Sequence, residues 1–322
     1  MRRLRPEFPC VLVELQYAIP LAVGVLVASQ VRRPGRAVPG GASRGRILYP
    51  VGGEKNNGAE GRPIRRSAEP NRVRRGTSAP RRSGPGRART EQPQHSSGAE
   101  GQAGGPAIPA GIEAKQLAPD IRAELLTLDK STADTVARHL VAAGELLDED
   151  PEAALAHAQA ARQRSGRIAV IREAVGVAAY HCGDWAQALA EFRAARRMGS
   201  KSQLLPLIAD CERGVGRPER AVELARSPEA AELTGDDADE MRIVAAGARA
   251  DLGHPDQALA VLSSPAPDPS RTGATAARLF YAYAETLLAL GRTDEALQWF
   301  MHSAAADVDG VTDAEDRIDE LA

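Results

Sequence analysis

The stretch IREAVGVAAYHCGDWAQALAEFRAAR (Ile171–Arg196) decides how this chain folds. Ala174, Val175, Val177, Ala178 and Tyr180 give one mostly apolar helix, and Gly183-Asp184 interrupts it. Trp185, Ala188, Leu189, Phe192 and Ala195 then recur at helical spacing in a second helix. Small residues at Gly176, Ala179 and Ala188 let two antiparallel helices approach closely. Trp185 and Phe192 are large enough to fill the wedge between them.

The same unit recurs when its turn is aligned along the chain. Turns fall near Glu149-Asp150, Gly183-Asp184, Gly216-Arg217, Gly253-His254 and Gly291-Arg292, at intervals of about 34, 33, 37 and 38 residues. Five residues after each turn Gly (or Glu149) stands an alanine: Ala154, Ala188, Ala221, Ala258 and Ala296. Leu155, Leu189, Val222, Leu259 and Leu297 follow them.

This pattern resembles the tetratricopeptide repeat. The likeness is strongest in two units. In the first, Gly176, Gly183, Asp184, Trp185, Ala188, Phe192 and Ala195 match; in the second, Arg278–Ala304, the matches are Ala284, Gly291, Ala296 and Phe300. Three other units are degenerate. The earliest lacks the turn glycine, the unit around Gly216 has a short second helix ending at Pro228, and the unit around Gly253 has Ala246 where the first-helix glycine is usual. The resemblance covers Thr132 to Asp307 and implies an all-α fold: a right-handed α-solenoid of about five antiparallel helix pairs, each burying its apolar face against its neighbours. VTDAEDRIDELA (Val311–Ala322) suits a polar end cap, with Ile318 and Leu321 turned inward. The longer intervals place loops or short extra turns at Ser227–Glu240 and Ser263–Gly273.

Outward from the repeats, charge divides the chain. Residues 1–110 carry 19 Arg/Lys against 7 Asp/Glu, about +12, and residues 111–322 carry 22 against 36, about −14. Three regions follow: an apolar segment over 1–31, an Arg/Gly/Pro-rich region over 32–111 with no apolar periodicity, read as disordered, and the helical-repeat domain over 112–322. Phe8–Val31 has the length of a membrane span, but Glu14 stands near its middle and arginines flank both sides, so anchoring is the minor reading beside an upstream start that is not native. Cys10, Cys182 and Cys211 form no CxxC pair, which favours a reducing, cytoplasmic setting.

No catalytic constellation is present: no G-x-S-x-G, no G-x-x-x-x-G-K-[ST] and no H-E-x-x-H. Gly199-Ser200-Lys201-Ser202 lacks the leading glycine of a phosphate loop and reads as an inter-helix turn. His181-Cys182 with Cys211 matches no ligand spacing, and the paired carboxylates Asp236-Asp237 read as solvated loop residues. No enzyme activity, cofactor or metal is called for.

In the family resembled, the first helix of each pair lines a concave groove. The resemblance therefore points to Glu173, Val177, Tyr180 and His181, then Gln203, Asp210 and Arg213, then Glu240 and Asp251, and last Arg278, Tyr281 and Glu285. The family members that grip a C-terminal carboxylate use Lys and Asn where this chain has Glu173 and Val177, so that activity is not implied. The expectation is a non-catalytic adaptor binding a protein or peptide with a basic segment, because the repeat domain is acidic. The alternative is a nucleic-acid- or ribosome-associated factor that uses the arginines of residues 62–89, which have no interleaved aromatics for base stacking.

Overall fold

The computed structural model describes residues 105–200 and 203–322. The apolar segment at residues 8–31, the arginine runs at 62–89, Cys10, Lys201 and Ser202 lie outside the described residues.

The described chain is built of helices. A lead-in of short turns and α1 (Pro119–Glu124) precedes α2 (Lys130–Leu146), α3 (Pro151–Arg164), α4 (Ala169–His181), α5 (Trp185–Arg197), α6 (Leu205–Gly214) and α7 (Pro218–Ala225). Then come α8 (Pro228–Ala231), α9 (Gly235–Asp251), α10 (Pro255–Leu262), α11 (Ala274–Ala289), α12 (Thr293–Ala306) and α13 (Ala314–Leu321). They pack as adjacent pairs, α2/α3, α4/α5, α6/α7, α9/α10 and α11/α12, and the second helix of each pair packs on the first helix of the next. This is an α-solenoid. Among the described residues no helix is long and apolar enough to cross a membrane.

Local chemistry explains each turn. Gly183, Gly216, Gly253 and Gly291 have φ of 72°, 76°, 78° and 74°, a left-handed conformation that costs glycine nothing. At each turn the next residue's N–H donates to the carbonyl five residues back: Asp184 to Ala179 (2.9 Å), Arg217 to Glu212 (2.8 Å), His254 to Arg249 (2.9 Å) and Arg292 to Leu287 (3.0 Å). These are Schellman closures of the first helix. The second helices start at once, with Asp184 capping α5 through the Gln187 N–H, and with Pro218 and Pro255 opening α7 and α10. The first turn has no glycine, and Asp150 caps α3 there by accepting from the Ala153 N–H at 2.9 Å.

Packing within the pairs follows the aligned alanines. Ala154, Ala188, Ala221, Ala258 and Ala296 are all fully buried. So are the small residues opposite on the first helices, among them Ala142, Ala209, Ala246 and Ala284. Within its pair Gly176 allows a close approach: a Cβ there would lie 2.6 Å from the Phe192 ring, which has no exposed surface. Trp185 packs edge-on against Tyr180 at 4.9 Å and lies over Gly214 of the next pair, where a Cβ would meet its ring at 2.4 Å. It therefore joins two units as well as filling its own wedge.

Of the two stretches read as loops or short extra turns, one is more ordered than that reading. Ser227–Glu240 holds α8 and the first turn and a half of α9, so Asp236-Asp237 stand in a helix and not in a loop. Carboxylates in a first turn face the positive end of the helix dipole, which favours helix over loop. Ser263–Gly273 is a loop, as its composition suggests, and Arg271 ties it to α9 through Asp236 (3.0 Å) and Asp239. At the far end, α13 packs Ile318 and Leu321 against the cluster around Phe300, leaving its carboxylates outward.

Candidate partner-binding face

The residues singled out on the first helices occupy α4, α6, α9 and α11, with Gln203 just before α6. Their exposures differ widely. Glu173, Val177, Tyr180, Glu240, Arg278, Tyr281 and Glu285 are buried; His181 and Asp210 are half-buried; Gln203 and Asp251 are exposed. Part of this burial comes from polar side chains that reach across between successive first helices.

One ladder runs over three units. The Tyr180 hydroxyl of α4 donates to Asp210 Oδ2 of α6. Arg213 of α6 donates to Asp210 at 2.7 Å and to Asp251 of α9 at 2.8 Å. Its guanidinium lies on Gly247, where a Cβ would come within 2.6 Å of Cζ. Burial works against the Arg213 charge, but Asp210 and Asp251 outweigh it and hold its pKa above the ordinary arginine value. Burial, reinforced by Asp210, pushes the Tyr180 phenol well above its usual range.

A second ladder continues toward the end of the chain. Arg278 of α11 pairs with Glu240 of α9, both almost wholly buried. Burial raises the Glu240 carboxyl even with Arg278 beside it. Glu285 of α11 accepts from Arg317 Nε of α13 at 2.8 Å, and burial likewise raises its pKa. Tyr281 packs edge-on against Phe300 at 5.3 Å.

Further arginine–carboxylate pairs join helices within and between units. Glu191 of α5 accepts from Arg162 of α3 and from Arg172 of α4 at 2.9 Å, and Glu212 of α6 is held by Arg193 and by Arg217 at 2.9 Å. Both cysteines within the described residues are free thiols, and burial raises the pKa of each, so neither is an activated nucleophile. Among the described residues no group of three or more His, Cys, Asp or Glu could hold a metal ion.

Sequence reading missed two features here. Arg317 completes the second ladder only because α13 folds back on α11. His139 and His157 meet in the first pair, Nδ1 to Nδ1 at 3.0 Å and both buried, although 18 residues separate them. Their helical phase offers a faint signal: each stands on the inward face of its helix.

Residues 208–311 match the family model described as Tetratrico peptide repeat. This segment is similar to tetratricopeptide repeats. No curated protein matches it. The matched segment takes in most of α6 and runs past α12, and the strongly patterned Ile171–Arg196 precedes it. That earlier pair nonetheless has the same glycine conformation, the same five-residue closure and the same buried alanine as the tetratricopeptide pairs after it.

Proposed function

We propose that the tetratricopeptide region is a non-catalytic adaptor which binds a protein or peptide segment along the face of its first helices. The observation that supports this most is the clamping of that face by its own ladders. Tyr180, Asp210, Arg213, Asp251, Glu240 and Arg278 are fixed between units before any partner arrives, which lowers the entropy cost of capture. The residues open to a partner are Gln203, Asp251 and the half-buried His181. The acidic balance of residues 111–322 favours a segment rich in Lys or Arg.

The test uses immobilised protein and a native lysate, with mass spectrometry before and after ribonuclease. The expected result is a discrete protein partner that survives nuclease. It should be lost from the variant Gln203→Ala/Asp251→Asn while the helical circular dichroism spectrum stays unchanged. A partner that binds the variant equally would sink the assignment of this face. The arginine runs at residues 62–89 favour a second reading, contact with nucleic acid. Recovery of ribosomal proteins alone, abolished by nuclease, would support it.

A further inference from the structure

The second helices meet the next unit along one edge. Eight residues after the aligned alanine stands Arg162 in α3, paired with Glu191 of α5, and Arg196 in α5, paired with Glu229 of α8 at 2.6 Å. Five residues after it stands Arg193 in α5, paired with Glu212 of α6. In α12 the same two positions hold Ala304 and Met301. With Leu297, four residues before Met301, they make an apolar face on the edge where a further unit would pack.

That face is only partly covered. The α13 helix packs Ile318 and Leu321 against the cluster that holds Ala304. Met301 remains 49% exposed, and Val308, just past the end of α12, is 73% exposed. Carboxylates flank the two. Asp309 follows Val308, and α13, packed on α12, carries Glu315, Asp316 and Asp319. All four are exposed and have no ion-pair partner among the described residues. A second copy seated face to face would bring these carboxylates together, which disfavours it. The occupant that fits is apolar with basic ends.

This chain has such a segment. Residues 8–31 are mostly apolar, with Arg2, Arg3 and Arg5 before them and Arg32 and Arg33 after. We propose that residues 8–31 dock on the outer face of α12, with their flanking arginines against Asp309 and the carboxylates of α13. The connection is long enough. The described chain starts beside α3, where a Cβ on Gly105 would lie 2.5 Å from that of Ala160. From there α12 is four units on, about 40 Å at the usual spacing of packed helices. A flexible chain of the length of residues 33–104 spans about 45 Å. Reach and span match, so the effective concentration is on the order of 1 mM. The face belongs to a second helix and is separate from the proposed partner face on the first helices.

Oxidation of the full chain by hydrogen peroxide, followed at Met198 and Met301 by peptide mass spectrometry, tests the docking. The two methionines are 40% and 49% exposed in the described fold, so without an occupant they should oxidise at similar rates. The comparison is the full-length variant Leu12→Asp/Leu15→Asp/Leu21→Asp/Leu26→Asp, altered outside the repeats. Met301 should oxidise about tenfold more slowly in the natural protein than in the variant, as a dissociation constant of about 0.1 mM would give at that effective concentration. Met198 should oxidise equally in both, and the protection should not change with protein concentration. Equal oxidation of Met301 in the two proteins would overturn the proposal. Protection that persists in the variant, or that fades on dilution, would assign the face to another copy and overturn it as well.

Discussion

Gly176 shows how one side chain sets the distance between two helices. The Phe192 ring occupies the space that a Cβ would take, 2.6 Å away, and the ring has no free surface into which to retreat. Gly176→Ala gains about 1 kcal/mol of helix propensity but overpacks the wedge, for which about 1–3 kcal/mol is the usual cost. The expected outcome is net destabilisation, read as a lower urea midpoint with an unchanged slope; a variant as stable as the natural protein would mean the wedge is loose. This contact was legible beforehand, because Gly176 and Phe192 belong to one local pattern. Arg278 was legible only as a residue on the right helix. Its burial against Glu240 joins positions 38 apart and rests on how α9 and α11 stack.

At the scale of elements, the turns follow from the chain itself. Four glycines at the same place in the pattern adopt the same left-handed conformation and close their helices with the same bond. The first pair carries a different device. A hydrogen bond between His139 and His157 requires one ring to present an unprotonated nitrogen, and a second proton would set two N–H groups against each other. Burial, then Arg164, His157 and Arg138, bring the His139 pKa down to about 4, and burial lowers that of His157. Because the folded-state values lie below the ordinary value of 6.5, the stability these rings contribute is complete above that pH. It is lost as the pH falls toward 4. Glu240 and Glu285, with raised pKa values, act with the opposite sign near the other end. Hydrogen exchange should therefore show α2 and α3 losing protection between pH 6.5 and 4.5 before α11 and α12 do. The double variant His139→Leu/His157→Leu should flatten that difference; an unaltered pH profile would exclude the histidines as its cause.

For the whole molecule, stability is a sum over neighbours. Each pair touches the next, and among the described residues no substantial contact links the first pair with the last, so the ends need covers. The α13 helix covers Phe300 and Tyr281 through Ile318 and Leu321, and its Arg317 completes the pair with Glu285. Removing residues 310–322 should uncover that apolar surface and take away the ion-pair partner of Glu285, a loss on the order of 3 kcal/mol. The loss should fall on α11 and α12 and leave α2 and α3 nearly unchanged, as amide exchange would report. Equal loss at both ends would show a single cooperative unit instead of a stack.

Sequence by itself determined the helices, the turns between them and the pairing within each unit, because these depend on residues fewer than about 25 apart and on the conformational freedom of glycine. It also located the first-helix row, though only as positions. Which of those side chains meet solvent and which meet each other was decided by the stacking of one pair on the next. That stacking buried Arg278 and Tyr281 and laid Arg213 across Gly247. The physical reason is that charge pairing and burial between units depend on rotations and separations that no local pattern encodes.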